Sequence, residues 1–125
     1  MENIGLLGID LGQKRVGVAL SHGFMAEGLT TLDYSDKNLF YKKIKEIIIE
    51  QKIGKIIVGL PVHNGQETKQ TVWTRQEVES LRDETGLPIE LVDEAYSSVE
   101  ADKFNADRDS ESARIILEQY LEQTK

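Results

Sequence analysis

The chain has 125 residues, no cysteine and a formal net charge of -7. That length fits one domain with a real core, the missing cysteines exclude disulfides and thiolate metal sites, and no apolar run is long enough to span a bilayer. An acidic balance taken alone argues against nucleic acid, whose phosphates are held by Lys and Arg.

The charge is uneven. Lys37 to Lys55 carries six lysines against two glutamates, and Glu77 to Glu111 carries twelve acids against three bases. One reading is a solvated basic helix and a solvated acidic surface. The other is that some of the acids hold cations, so that a substrate feels less negative charge than the composition suggests. The N-terminus shows no basic segment followed by an apolar run and a cleavage site, so a cytoplasmic protein is expected.

Ile4 to Asp10 is a short apolar run ending at an acid and followed by Gly12, the pattern of a buried central strand. Arg15 to Ser21 alternates Val16, Val18 and Leu20 against Gly17 and Ala19, a second strand tightly connected to the first and therefore antiparallel to it. Met25 to Leu32 is a weaker third strand of the same meander. Asn38 to Lys52 has helical spacing, with Phe40, Ile44, Ile47, Ile48 and Gln51 on one face, and Gly54 ends it.

Lys55 to Leu60 is the next buried strand, stopped by Pro61, and Pro61 to Thr68 reads as a polar loop. Thr71 to Thr85 is predicted helical and is ended by Gly86-Leu87-Pro88. Ile89 to Asp93 is the last strand. Ser97 or Ser98 can cap a short helix through about Phe104, and Asp107 or Asp109 opens a final helix to about Gln123. The order predicts an α/β fold: a five-stranded mixed sheet, an antiparallel meander plus parallel strands, with helices on both faces and right-handed crossovers. No repeat or linker divides the chain, so residues 1–125 are expected to form a single domain.

Three acids stand out by position. Asp10 closes the first strand, and ligands of open α/β sheets bind beyond the carboxyl ends of the strands. Glu94 follows the last strand, at the same edge if that strand runs parallel to the first. Asp109 begins the final helix, and at 100° per residue Ala113, Ile116 and Tyr120 lie within about 40° of it. It therefore shares the face that packs on the sheet, where a charge is costly without a partner. The alternative is a first-turn acid answering the helix dipole. If the three carboxylates converge, a pair of divalent cations about 4 Å apart would offset their repulsion and could support phosphodiester cleavage. All-oxygen ligands suit Mg²⁺ and Mn²⁺. Strand parity leaves open whether Asp93 or Glu94 faces the site, and Asp107 is a further candidate.

The segments Gly8-Ile9-Asp10-Leu11-Gly12-Gln13-Lys14-Arg15-Val16-Gly17-Val18-Ala19-Leu20-Ser21, Ile57-Val58-Gly59-Leu60-Pro61, Leu91-Val92-Asp93-Glu94 with Ser97-Ser98-Val99-Glu100-Ala101, and Asp109-Ser110 with Ala113, Ile115-Ile116-Leu117 and Tyr120-Leu121 resemble, in order, the signature blocks of the YqgF/RuvX family. The resemblance implies a ribonuclease H-like fold. It implies a metal-dependent nuclease acting on structured nucleic acid, either at the 5′ end of pre-16S ribosomal RNA or on Holliday-junction-like DNA. It matches Asp10, Glu94 and Asp109 to the family's acidic triad, and so to ligands of Mg²⁺ or Mn²⁺. Lys14 and Arg15 match a basic pair that meets phosphate, Arg15 being equally readable as a structural surface residue. Ser97 and Ser98 stand where the family usually has threonines, as phosphate contacts or as helix caps.

The chain departs from the family pattern at Ala95, where an arginine is usual, in the loop Val62-His63-Asn64-Gly65, and at Glu111, Ser112 and Arg114 of the final helix. Ala95 and the acidic balance motivate an alternative, a ribonuclease H-fold module that binds nucleic acid or the ribosome without cutting. A third reading, an actin-like ATPase or sugar kinase, would need a second such domain. His22 and His63 read as loop residues and Trp73 as packing. The oligomer is open between monomer and homodimer, a two-fold symmetric junction favouring the dimer.

Overall fold

The computed structural model describes residues 4–94 and 108–124. Five strands form one sheet: β1 (Gly5–Leu11), β2 (Arg15–Ser21), β3 (Ala26–Asp33), β4 (Ile53–Pro61) and β5 (Ile89–Glu94). Among the described residues three helices accompany them: α1 (Lys37–Glu50), α2 (Lys69–Thr85) and α3 (Arg108–Gln123). The strand order is β3-β2-β1-β4-β5. β1, β2 and β3 pair antiparallel, while β4 runs parallel to β1 and β5 parallel to β4. The meander, the parallel strands and the coverage of both faces are as expected from the sequence. The short helix expected from Ser97 or Ser98 lies outside the described residues, as do Ala95 and Asp107.

Strand alternation sorts the core into two layers. Leu7, Ile9, Val16, Val18, Ile56 and Val58 pack with Phe40, Ile44, Val78 and Leu81 of α1 and α2. Ala19, Ile57 and Val92 face the other way and pack with Ala113, Ile116 and Leu117 of α3.

Two boundaries differ from expectation for local reasons. The reversal after α1 occurs at Lys52, whose φ of 55° is left-handed. The chain re-enters the sheet at Ile53, pairing with Gly5, and Gly54 falls in the register shift between the Gly5–Ile53 and Leu6–Lys55 pairs. α2 begins earlier than Thr71 because Thr68 is its N-cap and Thr71 its third residue, the two forming a reciprocal capping box.

Part of the charge asymmetry is met within the chain. Lys37 pairs with Glu77 at 2.9 Å, Lys45 with Glu84 at 3.1 Å, and Lys55 with Glu90. The basic segment of α1 and early β4 thus lies against the acidic segment of α2 and early β5. Glu77 is the buried member, and it also accepts a hydrogen bond from the Tyr34 hydroxyl. Removing that donor leaves a buried carboxylate with one partner fewer. Tyr34→Phe is therefore expected to lower the free energy of unfolding by about 1–2 kcal/mol, read by urea denaturation. No helix among the described residues is long and apolar enough to cross a membrane.

Candidate active site

The parallel strands bring their carboxyl ends to one edge of the sheet, and the three acids approach it from distant parts of the chain. Leu7, Ile9 and Leu11 of β1 point to the α1–α2 layer, so Gly8 and Asp10 point to α3. Gly8 confirms the direction: a Cβ there would stand 3.0 Å from the Ala113 carbonyl oxygen. On β5, Val92 lies in the α3 layer, which places Glu94 on the same side and Asp93 on the other, where it is exposed. A Cβ at Gly59 would stand 3.2 Å from Glu94 Oε1, so the bare backbone of β4 gives that carboxylate room. Of the two acids that strand parity left open, Glu94 is the one on the α3 side of the sheet with Asp10.

Asp109 lies in the first turn of α3. Its backbone is clamped to the sheet: a Cβ at Gly17 would stand 1.8 Å from the Asp109 carbonyl oxygen, and one at Gly28 would stand 3.2 Å from Ser110 O and Oγ. Gly17 is the partner of Asp10 in the β1–β2 ladder. The backbones carrying Asp10 and Asp109 are therefore separated by little more than one glycine.

The electrostatics report the same convergence. The Asp10 carboxyl is pushed up to about 8, first by burial, then by the charge of Glu94, then by that of Asp109. A hydrogen bond from the Ser112 side chain opposes the shift. Ser112 is itself buried, on the face of α3 that meets the sheet.

Arg15 opens β2 and is half exposed. Its Nε donates to Asp109 Oδ2 at 2.9 Å. With Lys14, Thr31, Leu32, Asp33 and Ser35 it lines a groove of about 650 Å³, and through its pairing with Asp109 it links that groove to the acids. Among the described residues, no three acidic or histidine side chains stand close enough to hold one metal ion in this arrangement. Asp10, Glu94 and Asp109 thus share an edge and a field without forming a closed cage. Ser97 and Ser98 lie outside the described residues.

The remaining candidates have structural partners. His22 Nε2 lies 2.8 Å from the Gln51 carbonyl oxygen. His63 forms a tight bridge with Gln66 around Asn64 and Gly65, both at positive φ. Trp73 meets the Tyr34 ring edge-on at 6.3 Å. Glu111 and Arg114, departures from the family pattern, pair with each other at 2.6 Å along α3. Sequence reasoning missed Ser112 as a partner of Asp10, and Gly17 and Gly59 as points of close approach. Isolated glycines inside strands were the available signal for the last two.

Comparison with known proteins adds to this geometry. The family profile described as RuvX, Holliday junction resolvase, matches residues 5–123. A "Putative pre-16S rRNA nuclease" from Thermoanaerobacter pseudethanolicus is 36% identical, the match covering 96% of this chain and 97% of that protein. A protein of the same name from Burkholderia ambifaria is 34% identical over 94% of this chain and 89% of its own length. Among solved structures, T. thermophilus RuvC in complex with a Holliday junction substrate matches with a TM-score of 0.61 at 12% identity, covering 97% of this chain and 95% of that one. That likeness identifies the fold as ribonuclease H-like.

Proposed function

Because the chain belongs to the RuvX Holliday junction resolvase family, a family of nucleases, we propose that it hydrolyses phosphodiester bonds of pre-16S rRNA at a site formed by Asp10, Glu94 and Asp109, with Mg²⁺ or Mn²⁺ as cofactor. The observation that carries this reading is the placement of Asp10. It is a carboxylate at the carboxyl end of a central strand, facing α3, in the field of two further carboxylates from β5 and α3. The substrate is suggested by the names of relatives that match this chain over nearly their whole length.

The donor set fits such an ion. All three groups are hard oxygen ligands, and the repulsion that opposes ionisation of Asp10 turns into attraction around a divalent cation. Asp10, Glu94 and Asp109 would hold it, with Asp109 turning from Arg15 to do so. When bound, it supplies charge stabilisation at the phosphoryl oxygens. The chain's own contribution is placement. Gly17 and Gly59 let α3 and Glu94 approach Asp10, the Ser112 hydroxyl orients the Asp10 carboxylate, and Lys14 and Arg15 present positive charge to a phosphate in the groove.

A second reading, cleavage of branched DNA, is favoured by the family's description as a Holliday junction resolvase. The test is direct competition between a precursor 16S rRNA carrying its 5′ extension and a four-way DNA junction, each with Mn²⁺ and with Mg²⁺. Metal-dependent cutting of the RNA in preference to the junction is the expected result. Preferential junction cutting would reverse the substrate assignment. Tight RNA binding without cleavage under either metal would favour the non-catalytic module.

A further inference from the structure

We propose that Arg15 is an exchangeable counter-ion that holds the Asp109 carboxylate apart from Asp10 and Glu94 until a divalent cation takes that carboxylate over, displacing the guanidinium toward the groove it shares with Lys14. The inference rests on reading the three acids as metal ligands.

Three observations carry it. First, Asp109 is close enough for its charge to act on Asp10, yet no three acids among the described residues form a metal-holding group. Its Oδ2 is engaged by Arg15 Nε at 2.9 Å instead. Second, the backbone beneath Asp109 has no freedom to close the gap. Its carbonyl lies against Gly17, and Ser110 lies against Gly28, both at separations that even one added methyl group would violate or crowd. Any change of partner must therefore come from rotation of the Asp109 and Arg15 side chains, which are a fixed helix start and a half-exposed strand start. Third, Arg15 has somewhere to go. Its side chain is 53% exposed and lines an open groove with Lys14, so its release needs no repacking. A single guanidinium neutralises one carboxylate, whereas a divalent ion can draw on all three, and this difference drives the exchange.

The test is calorimetric titration of Mn²⁺ into the metal-free wild-type protein, Arg15→Gln and Lys14→Gln. Arg15→Gln removes the competitor and should bind Mn²⁺ about three- to five-fold more tightly, the range that an exposed ion pair's strength allows. Lys14→Gln removes an equal, neighbouring charge while leaving the Arg15–Asp109 pair in place, and should give a clearly smaller gain. Unchanged or weaker binding by Arg15→Gln would overturn the proposal, and so would equal tightening in both variants, which would reduce the effect to the general field. Failure of all three proteins to bind Mn²⁺ at millimolar concentration would instead remove the metal site itself, and the exchange with it.

Discussion

Asp10→Asn is expected to lower metal-dependent cleavage by on the order of 10³-fold, the scale of losing a group that acts directly on the reacting charge, while leaving the fold intact. The same substitution should make the metal-free protein more stable at neutral pH. In the folded state the Asp10 carboxyl is pushed from its ordinary value of 3.8 up to about 8, by burial, then by Glu94, then by Asp109. The folded chain therefore keeps a proton that the unfolded chain releases at a lower pH. This contribution to stability is fully present below about 4 and is lost as pH rises toward about 8. Asparagine carries no such proton, so urea unfolding of Asp10→Asn should lose less stability between pH 5 and pH 8 than the wild type does. Cleavage unaffected by the substitution would point to a contaminating nuclease. An unaltered pH slope would mean that Asp10 is not the group crowded by its neighbours.

Gly17→Ala is expected to be among the most destabilising small substitutions in the chain. The added Cβ would stand 1.8 Å from the Asp109 carbonyl oxygen and 2.3 Å from its carbon. Those are backbone atoms at the start of a helix whose Ala113, Ile116 and Leu117 are fully buried, so relief requires lifting α3 from the sheet. Overpacking of this kind costs about 3 kcal/mol, and more where backbone must move. Activity should fall with stability because Asp109 travels with the helix. Gly23→Ala is the matched control: nothing lies within 4 Å of a Cβ at that position, and its midpoint of urea unfolding should stay close to that of the wild type. A Gly17→Ala protein as stable as Gly23→Ala would show that α3 does not sit on β2 as described.

The features most legible in the sequence were those written in short-range periodicity. The β1–β2 alternation, the apolar face of α1 and the run Ile56-Ile57-Val58 each report burial within a few residues, and the meander followed from the tight spacing of its strands. Helical geometry placed Asp109 on the face of Ala113 and Ile116, which are buried in the structure, while Asp109 itself, at the helix start, is partly buried and paired with Arg15. Less legible was whatever depends on contact between distant segments. Nothing local marks Ser112, in the second turn of α3, as the donor to Asp10. Nor does it mark Arg15 as the partner of Asp109, 94 positions away. The pairing of the basic segment with the acidic one, Lys37 with Glu77 and Lys45 with Glu84, was hidden for the same reason. Each stretch read alone resembles a solvated face, and only the packing of α1 beside α2 turns the two into partners. The capping box of α2 was concealed by chemistry, because Thr71 takes the place where Glu or Gln is the usual signal.

The most direct measurement is anomalous diffraction from crystals soaked in Mn²⁺. The expected map places manganese within about 2.0–2.3 Å of carboxylate oxygens of Asp10, Glu94 and Asp109, with the Asp109 side chain turned away from Arg15. A map without manganese at that edge of the sheet, with Asp109 still bound to the guanidinium, would contradict a shared cation as the basis of catalysis.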